Sequence, residues 1–316
     1  MIHIIVACIV ILLGFILLWK GADSLIDGAS DLATHLKLPH IVVGLTIVAL
    51  GTSLPEFMVS IFSVMTGSFE LALGTIIGSS ISNIGLILGL TAILFPLIIT
   101  NKLFKYDYCF MILTTFVFIV LGNDTFFHKG PNTFSMADGI IFLCILGLFI
   151  LYLAATTRQH KSVIPVVPPH SKLVNVLEVL LGSVALVIGG KFTIDATQIL
   201  VAAFHLKEGI IGLTLLALGT SLPELFTCIV AQQKKKYEMV LGNIIGSNIL
   251  NILFVVGLTT LFVPINAVGS LLAVDAFIML GFVLLLTFIS FNSKISRAKG
   301  VMLLLCYIAY LVYLVL

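Results

Sequence analysis

Two glutamates stand in apolar sequence, where a carboxylate is costly. Glu56 closes the segment GLTIVALGTSLPE (44–56), and Glu224 closes GLTLLALGTSLPE (212–224). An acid at the centre of a bilayer costs about 2.5–3.5 kcal/mol or more unless it finds a partner. Neither segment contains a basic residue, so a bound cation is the partner expected. The spacing supplies further ligands. Ala49, Thr52, Ser53 and Glu56 fall at i, i+3, i+4 and i+7, which is one helical face. Ala217, Thr220, Ser221 and Glu224 repeat it. Such a face offers carboxylate, hydroxyl and carbonyl oxygens, all hard donors. Hard oxygens select Na⁺, Ca²⁺, Mg²⁺ or Mn²⁺ over zinc or copper, which favour His and Cys. Two bidentate carboxylates plus carbonyls approach the roughly 6–8 oxygens that calcium takes.

Proline sits just before each glutamate. Pro55 and Pro223 lack an N–H, and their rings disturb the carbonyl four residues back, at Gly51 and Gly219. The helix is expected to open there and free backbone oxygens, which is tolerated at membrane depth where the backbone is buried or lines a cavity. A second segment adds neutral oxygens: Ser79 with Asn83, and Ser247 with Asn251, each pair at i, i+4. Gly74, Gly78, Gly242 and Gly246 form GxxxG spacings, which permit close helix contact. Asn243 and Asn248, opposite Thr75 and Ser80, read as mainly structural.

These residues must be positioned by membrane helices. The 316 residues are 60% hydrophobic and 9% charged, against about 25% charged in soluble domains. Lipid is therefore the solvent for most of the surface, and no soluble domain is expected. A net charge of +2 gives no basis for a nucleic-acid partner. Candidate spans are 2–33, 39–66, 71–97, 106–122, 137–157, 173–204, 209–233, 239–263, 268–291 and 298–316. The runs are continuously apolar, unlike the alternating strands of a barrel. The N-terminal run has no basic n-region and reads as a first span, not a removed signal. Lys and Arg bias the orientation: 12 lie in odd-numbered loops and only Lys129 and Lys207 in even ones. The odd loops are thus expected in the cytoplasm and both termini outside.

The chain also repeats itself. Segment 44–56 matches 212–224 at 11 of 13 positions, and 73–91 matches 241–259 at 12 of 19, both at an offset of 168. One shared offset means a duplicated unit. Each unit holds five spans, an odd number, so the second enters from the opposite face. The expected architecture is an all-α integral membrane protein of ten transmembrane helices, arranged as two inverted five-helix repeats. Residues 1–157 form the first repeat, 158–172 (RQHKSVIPVVPPHSK) a cytoplasmic linker, and 173–316 the second repeat. Inverted repeats place a substrate site near the midplane, where broken helices of the two halves meet.

Other polar residues are read more plainly. Lys20, Asp23, Asp27 and Asp31, with Lys191 and Asp195 in the counterpart helix, suit ion pairing or an interfacial location. Asp275 and Glu178 suit helix ends or bundle packing. The five cysteines form no CxxC or Cys/His cluster and read as small hydrophobes. His35 and His205, by topology on opposite faces, are not expected to share a metal.

The paired GTSLPE and GS-x-I-x-N-I segments resemble the alpha repeats of the cation/calcium exchanger superfamily, nearest to its prokaryotic sodium/calcium exchanger-like branch. The resemblance covers essentially the whole chain. It implies antiport of sodium against calcium through one shared site in the cell membrane, with no cofactor. It implies Glu56 and Glu224 as the main calcium ligands, serving sodium also. Thr52 and Thr220 would give backbone oxygens to the central site. Ser53, Ser221, Ser79 and Ser247, with the carbonyls of Ala49 and Ala217, would shape flanking sodium sites, and Asn83 would line the middle. Asn251 departs from the Asp that several relatives carry there. That removes a negative charge and weakens the case for potassium cotransport.

With two carboxylates, one Ca²⁺ neutralises the site and three Na⁺ overshoot by one charge, so a three-to-one exchange would be electrogenic. The resemblance further implies that the first and sixth helices slide across the bundle. The nearest alternative is a proton/calcium, or other divalent, antiporter. Hydroxyls beside the acids favour sodium, since a proton needs no such ligands. A passive cation channel is the alternative from another class. No nucleophile–base constellation points to an enzyme.

Overall fold

The computed structural model describes residues 2–99, 104–123, 132–159, 170–203, 219–266, 271–290 and 294–315. The first half contains α1 (Ile2–Leu36), α2 (His40–Thr52), α3 (Leu54–Met65), α4 (Phe69–Leu94), α5 (Phe104–Gly122) and α6 (Met136–Gln159). The second contains α7 (Lys172–Ala203), α8 (Leu222–Gln233), α9 (Tyr237–Phe262), α10 (Ala276–Ser290) and α11 (Arg297–Val315). Among the described residues, the regular structure is helical but for four two-residue strands. Among the described residues, seven helices are long and apolar enough to cross a membrane, and the bent pair α2–α3 makes an eighth. Most of the predicted linker, 160–169, lies outside the described residues, as do 204–218 with Ala217, His205 and Lys207.

Burial sorts the helices. Along α1, Ile5, Leu12 and Ile16 are exposed, as are Leu180 and Leu181 on α7. Such surfaces suit lipid, where a helix satisfies its own backbone. The reverse holds for α4 and α9, which are buried along most of their length and form the centre. Each passes through a π-helical turn, Asn83–Leu88 in α4 and Asn251–Val256 in α9. α2 contains a third, Gly44–Val48. Such turns often occur at functional sites.

The expected breaks occur one residue before the Leu-Pro pairs. α2 stops at Thr52, Ser53 leaves helical geometry (φ −81°, ψ 5°), and α3 begins with Pro55 in its first turn. The two helices meet at 48°. Ser221 (φ −86°, ψ 0°) and Pro223 repeat the arrangement at the start of α8. Proline is at home in a first turn, where its missing N–H has no helical acceptor.

Glycine sets two close contacts. α9 lies on α2 so tightly that a Cβ on Gly242 would stand 3.0 Å from the Cα of Gly44, and one on Gly246 2.6 Å from the carbonyl of Leu45. The GxxxG expectation therefore holds there. The repeat-equivalent partner segment for Gly74 and Gly78 falls in 204–218, outside the described residues. The second contact is between α1 and α7, the most extensive helix pair among the described residues. Gly14, Gly21 and Gly28 recur every seven residues and face the backbone of Gly189, Gly182 and Asn175 in turn. The two helices thus run antiparallel, backbone against backbone.

The halves are tied together at several points. Strand β1 (Leu97–Ile98), after α4, pairs with β4 (Lys294–Ile295), before α11. Strand β2 (Thr133–Phe134), before α6, pairs with β3 (Ile265–Asn266), after α9. Lys234, just past α8, holds α1 through Asp23 at 2.6 Å and Asp27 at 2.7 Å. Asp31 faces His170 at 3.8 Å. The ion pairing expected of this acidic run is therefore present. All five cysteines are free.

A Cβ at Gly182 would stand 2.6 Å from the Leu25 nitrogen and 2.7 Å from the Gly21 carbonyl, both backbone atoms that cannot turn aside. Gly182→Ala should therefore destabilise the protein by about 1–3 kcal/mol, read as a lower thermal midpoint in detergent. Gly147→Ala, with nothing within 4 Å of the new methyl, should leave the midpoint near that of the parent protein.

Candidate cation site

Glu56 lies in the first turn of α3 and Glu224 in the first turn of α8, both fully buried. Each sits just past a helix break, so its carboxylate faces the interior and not a lipid-facing helix surface. The breaks reach across to each other. Ser53, in the first break, donates to Glu224 Oε1 at 3.2 Å, and Thr52 also hydrogen-bonds that carboxylate. Thr220, in the second break, hydrogen-bonds Glu56. Ser79 on α4 donates to Glu56 Oε1 at 3.3 Å. The two acids lie near enough for their charges to interact directly.

Hydrogen bonds satisfy only part of this cluster. Glu56 Oε2, Glu224 Oε2, Asn83 Oδ1, Asn251 Oδ1 and Ser247 Oγ are all buried without a hydrogen-bond partner. Buried polar atoms are normally paired, and a lone buried charge is worse than a lone dipole. These five oxygens, two of them from acids whose charges interact, are of the hard donor type that a cation such as calcium takes. No group of three or more His, Cys, Asp or Glu suited to a metal occurs among the described residues. The donors are instead two acids with amide and hydroxyl oxygens, a mixture that suits a cation held without covalent character.

The remaining predicted residues can be placed. Thr52, Thr220, Ser221, Ser79, Ser247, Asn83 and Asn251 are all buried; Thr52, Thr220 and Ser79 hydrogen-bond the acids, and Asn83 and Asn251 open π-helical turns that pack against α8 and α3, the helices that bear them. Ser221 Oγ pairs with Ser82 Oγ at 2.9 Å. The Ala49 carbonyl accepts from the Ser53 N–H at 3.0 Å and lies 3.3 Å from Thr52 Oγ1. Ala217 lies outside the described residues.

Sequence reasoning understated two asparagines. Asn243 Oδ1 stands 3.1 Å from Thr52 Oγ1, and Asn248 Oδ1 accepts from Asn83 Nδ2 at 3.0 Å. Both touch proposed ligands directly. The available signal was asymmetry: each amide replaces a hydroxyl, Thr75 or Ser80, at the equivalent place in the first half. A further pair of acids sits away from the site. Asp107 and Asp275 are 168 apart, both buried, and accept from Tyr152 and Tyr310 at 3.1 and 3.3 Å. These bonds tie α5 to α6 and the start of α10 to α11, which bears out the packing role read for Asp275.

Known proteins share this architecture. The family described as "Sodium/calcium exchanger protein" matches residues 6–155 and 174–316. The putative antiporter CaxA of Alkalimonas amylolytica is 34% identical over 324 aligned residues, covering 96% of this chain and 97% of the relative. The sodium/calcium exchanger MaX1 of Methanosarcina acetivorans is 29% identical, covering 97% of each. A solved structure of the sodium-calcium exchanger NCX_Mj, soaked with sodium and calcium, superposes with a TM-score of 0.82 at 32% identity. It covers 98% of this chain and 99% of its own.

A cation that pairs the free oxygens will stabilise the fold by mass action. Calcium at a hundred times its dissociation constant should add about 2.7 kcal/mol, seen as a saturable rise in the melting midpoint of the purified protein. Glu56→Gln and Glu224→Gln should each melt normally without calcium and lose most of that rise. A rise of parental size in both variants would place the cation elsewhere.

Proposed function

Because the chain belongs to the sodium/calcium exchanger protein family, we propose that it is a secondary antiporter that exchanges sodium for calcium through one shared midplane site. It is a multi-pass membrane transporter, and the cell membrane is its proposed location. The observation that carries the reading is the set of five buried, unpartnered oxygens around Glu56 and Glu224. In this reading Glu56 and Glu224 hold calcium, with Thr52, Thr220, Asn83 and Asn251 around it. Ser53, Ser79, Ser221 and Ser247, with the carbonyls of Ala49 and Ala217, complete flanking sodium sites.

The architecture proposed for this work is ten spans in two inverted repeats, 1–157 and 173–316, joined by a cytoplasmic linker. Each half supplies the same parts at the same offset: a helix break before a Pro-Glu pair and a π-helical turn that opens on Asn. The family match itself stops at 155 and resumes at 174. With the lysine-rich odd loops inside, both termini lie outside.

Exchange then follows from charge. Two ionised glutamates are neutralised by one Ca²⁺. Sodium must displace it to bind, because both ions use the same carboxylates. Three Na⁺ carry one charge more than the calcium they replace, so each cycle moves one net charge. Membrane potential therefore contributes about 2.3 kcal/mol per 100 mV to each cycle. Alternating access falls to α1 and α7, which hold each other through glycine and carry none of the proposed ligands.

Proteoliposomes loaded with sodium should take up calcium only while sodium can leave; with three sodium ions leaving per calcium, uptake should be faster with a positive interior and slower with a negative one, the potential being set by potassium diffusion. Uptake that follows pH alone would make the protein a proton/calcium antiporter, and uptake without any counter-ion would make it a channel. Asn251→Asp adds a third acid to the site and should introduce a dependence on potassium or protons that the parent protein lacks, measured in the same assay.

A further inference from the structure

An asparagine beside a cation serves it only with its carbonyl end; turned over, it presents an NH₂ group that repels the ion. Asn83 and Asn251 are both fully buried and both present the oxygen, since each Oδ1 is free and each Nδ2 is tied. The two are held by different means. Asn251 Nδ2 donates to Ser79 Oγ at 3.1 Å, and Ser79 in turn donates to Glu56 at 3.3 Å. A carboxylate accepts only, so the hydroxyl must point at Glu56 and its lone pair at Asn251. The direction of that relay is set by the glutamate.

Symmetry would have Asn83 held by Ser247, the counterpart of Ser79. It is not: Ser247 Oγ has no hydrogen-bond partner. Asn83 Nδ2 donates instead to Asn248 Oδ1 at 3.0 Å. The amide of Asn248 is itself fixed, because its Nδ2 faces the backbone carbonyl of Ser80 at 3.4 Å and the Met111 sulfur at 3.8 Å. A backbone carbonyl accepts only. Asn248 must therefore give it the NH₂ end, must turn its oxygen to Asn83, and so must turn the oxygen of Asn83 away. The equivalent residue in the first half, Ser80, has its hydroxyl unpartnered and performs no such task for Asn251.

We propose that Asn248 is a positioning residue that locks the Asn83 carbonyl toward the transported cation and leaves the Ser247 hydroxyl free as a ligand. The lock is anchored on a backbone carbonyl, while the Asn251 relay runs through Ser79 to Glu56. The two halves of the site are thus alike in donors and unlike in what aims them. This proposal rests on the calcium-binding reading above and adds a residue at a position where the two repeats differ, Asn248 against Ser80.

The test is a double-mutant cycle read by equilibrium calcium binding to the purified full-length protein. Asn248→Ala should weaken binding about five- to tenfold, as expected for the loss of one well-aimed polar interaction. In the Asn83→Ala background the same change should weaken it less than about twofold, because there is no amide left to aim. Equal weakening in both backgrounds would mean that Asn248 only supports the fold, and the proposal would be wrong. If Asn248→Ala cannot be purified, Asn248→Ser, which installs the side chain of the first half, runs the same cycle with the same criteria. A parent protein that binds no calcium overturns the exchanger reading itself. A parent that binds, with Glu56→Gln blocking it but no coupling between positions 83 and 248, overturns this proposal alone.

Discussion

Two buried carboxylates that feel each other's charge constrain everything else in this protein. Lipid gives no water to solvate them, and the protein supplies each with hydroxyl donors on one oxygen while the other is left bare. Such a pair calls for a positive charge between its members or for protons on its oxygens. That requirement makes the site hungry for cations and also makes it choosy about leaving empty. In the proposed exchange an ion departs as another arrives, or as the acids take up protons. The proposed coupled exchange rests on this shortage of counter-charge.

The backbone serves the same constraint. An unbroken helix would hide its carbonyls and keep its side chains on fixed faces. Breaks at Ser53 and Ser221 and π-helical turns opening on Asn83 and Asn251 redirect both. The tight glycine contact of α9 on α2 brings the second-half helix that carries Ser247 and Asn251 against the helix that ends at Thr52. The repeated sequence then serves both acids with one set of instructions, because each break reaches the glutamate of the other half.

Much of this was legible in the sequence, for physical reasons. Glu56 and Glu224 stand out because charge is rare in lipid, and Pro55 and Pro223 announce the breaks because proline lacks a donor. The helices follow from continuous apolar runs; the described ends of α4 and α9 lie within two or three residues of the expected spans. Other features were hidden because they depend on which rotamer meets which across the bundle. Asn248 looked like packing until its amide was seen between Ser80 and Asn83. Lys234 looked like one basic loop residue among three until Asp23 and Asp27, more than 200 positions away, closed on it. The tyrosines that hold Asp107 and Asp275 carry no local signal either, since each comes from another helix.

The departures from symmetry carry a further lesson. The ionic link from Lys234 to α1 is one such departure. Its counterpart by sequence is Thr66, which donates only to the local carbonyls of Phe62 and Ser63. The carboxylates that Lys234 holds are partly exposed, at 41% and 54%, so the link is worth little by the standard of surface ion pairs. Little is enough here. A transporter must visit both of its states, and a strong tether on one would trap it. If α1 and α7 move as the proposed exchange requires, a weak pair at one end of them would bias the balance between states without abolishing either.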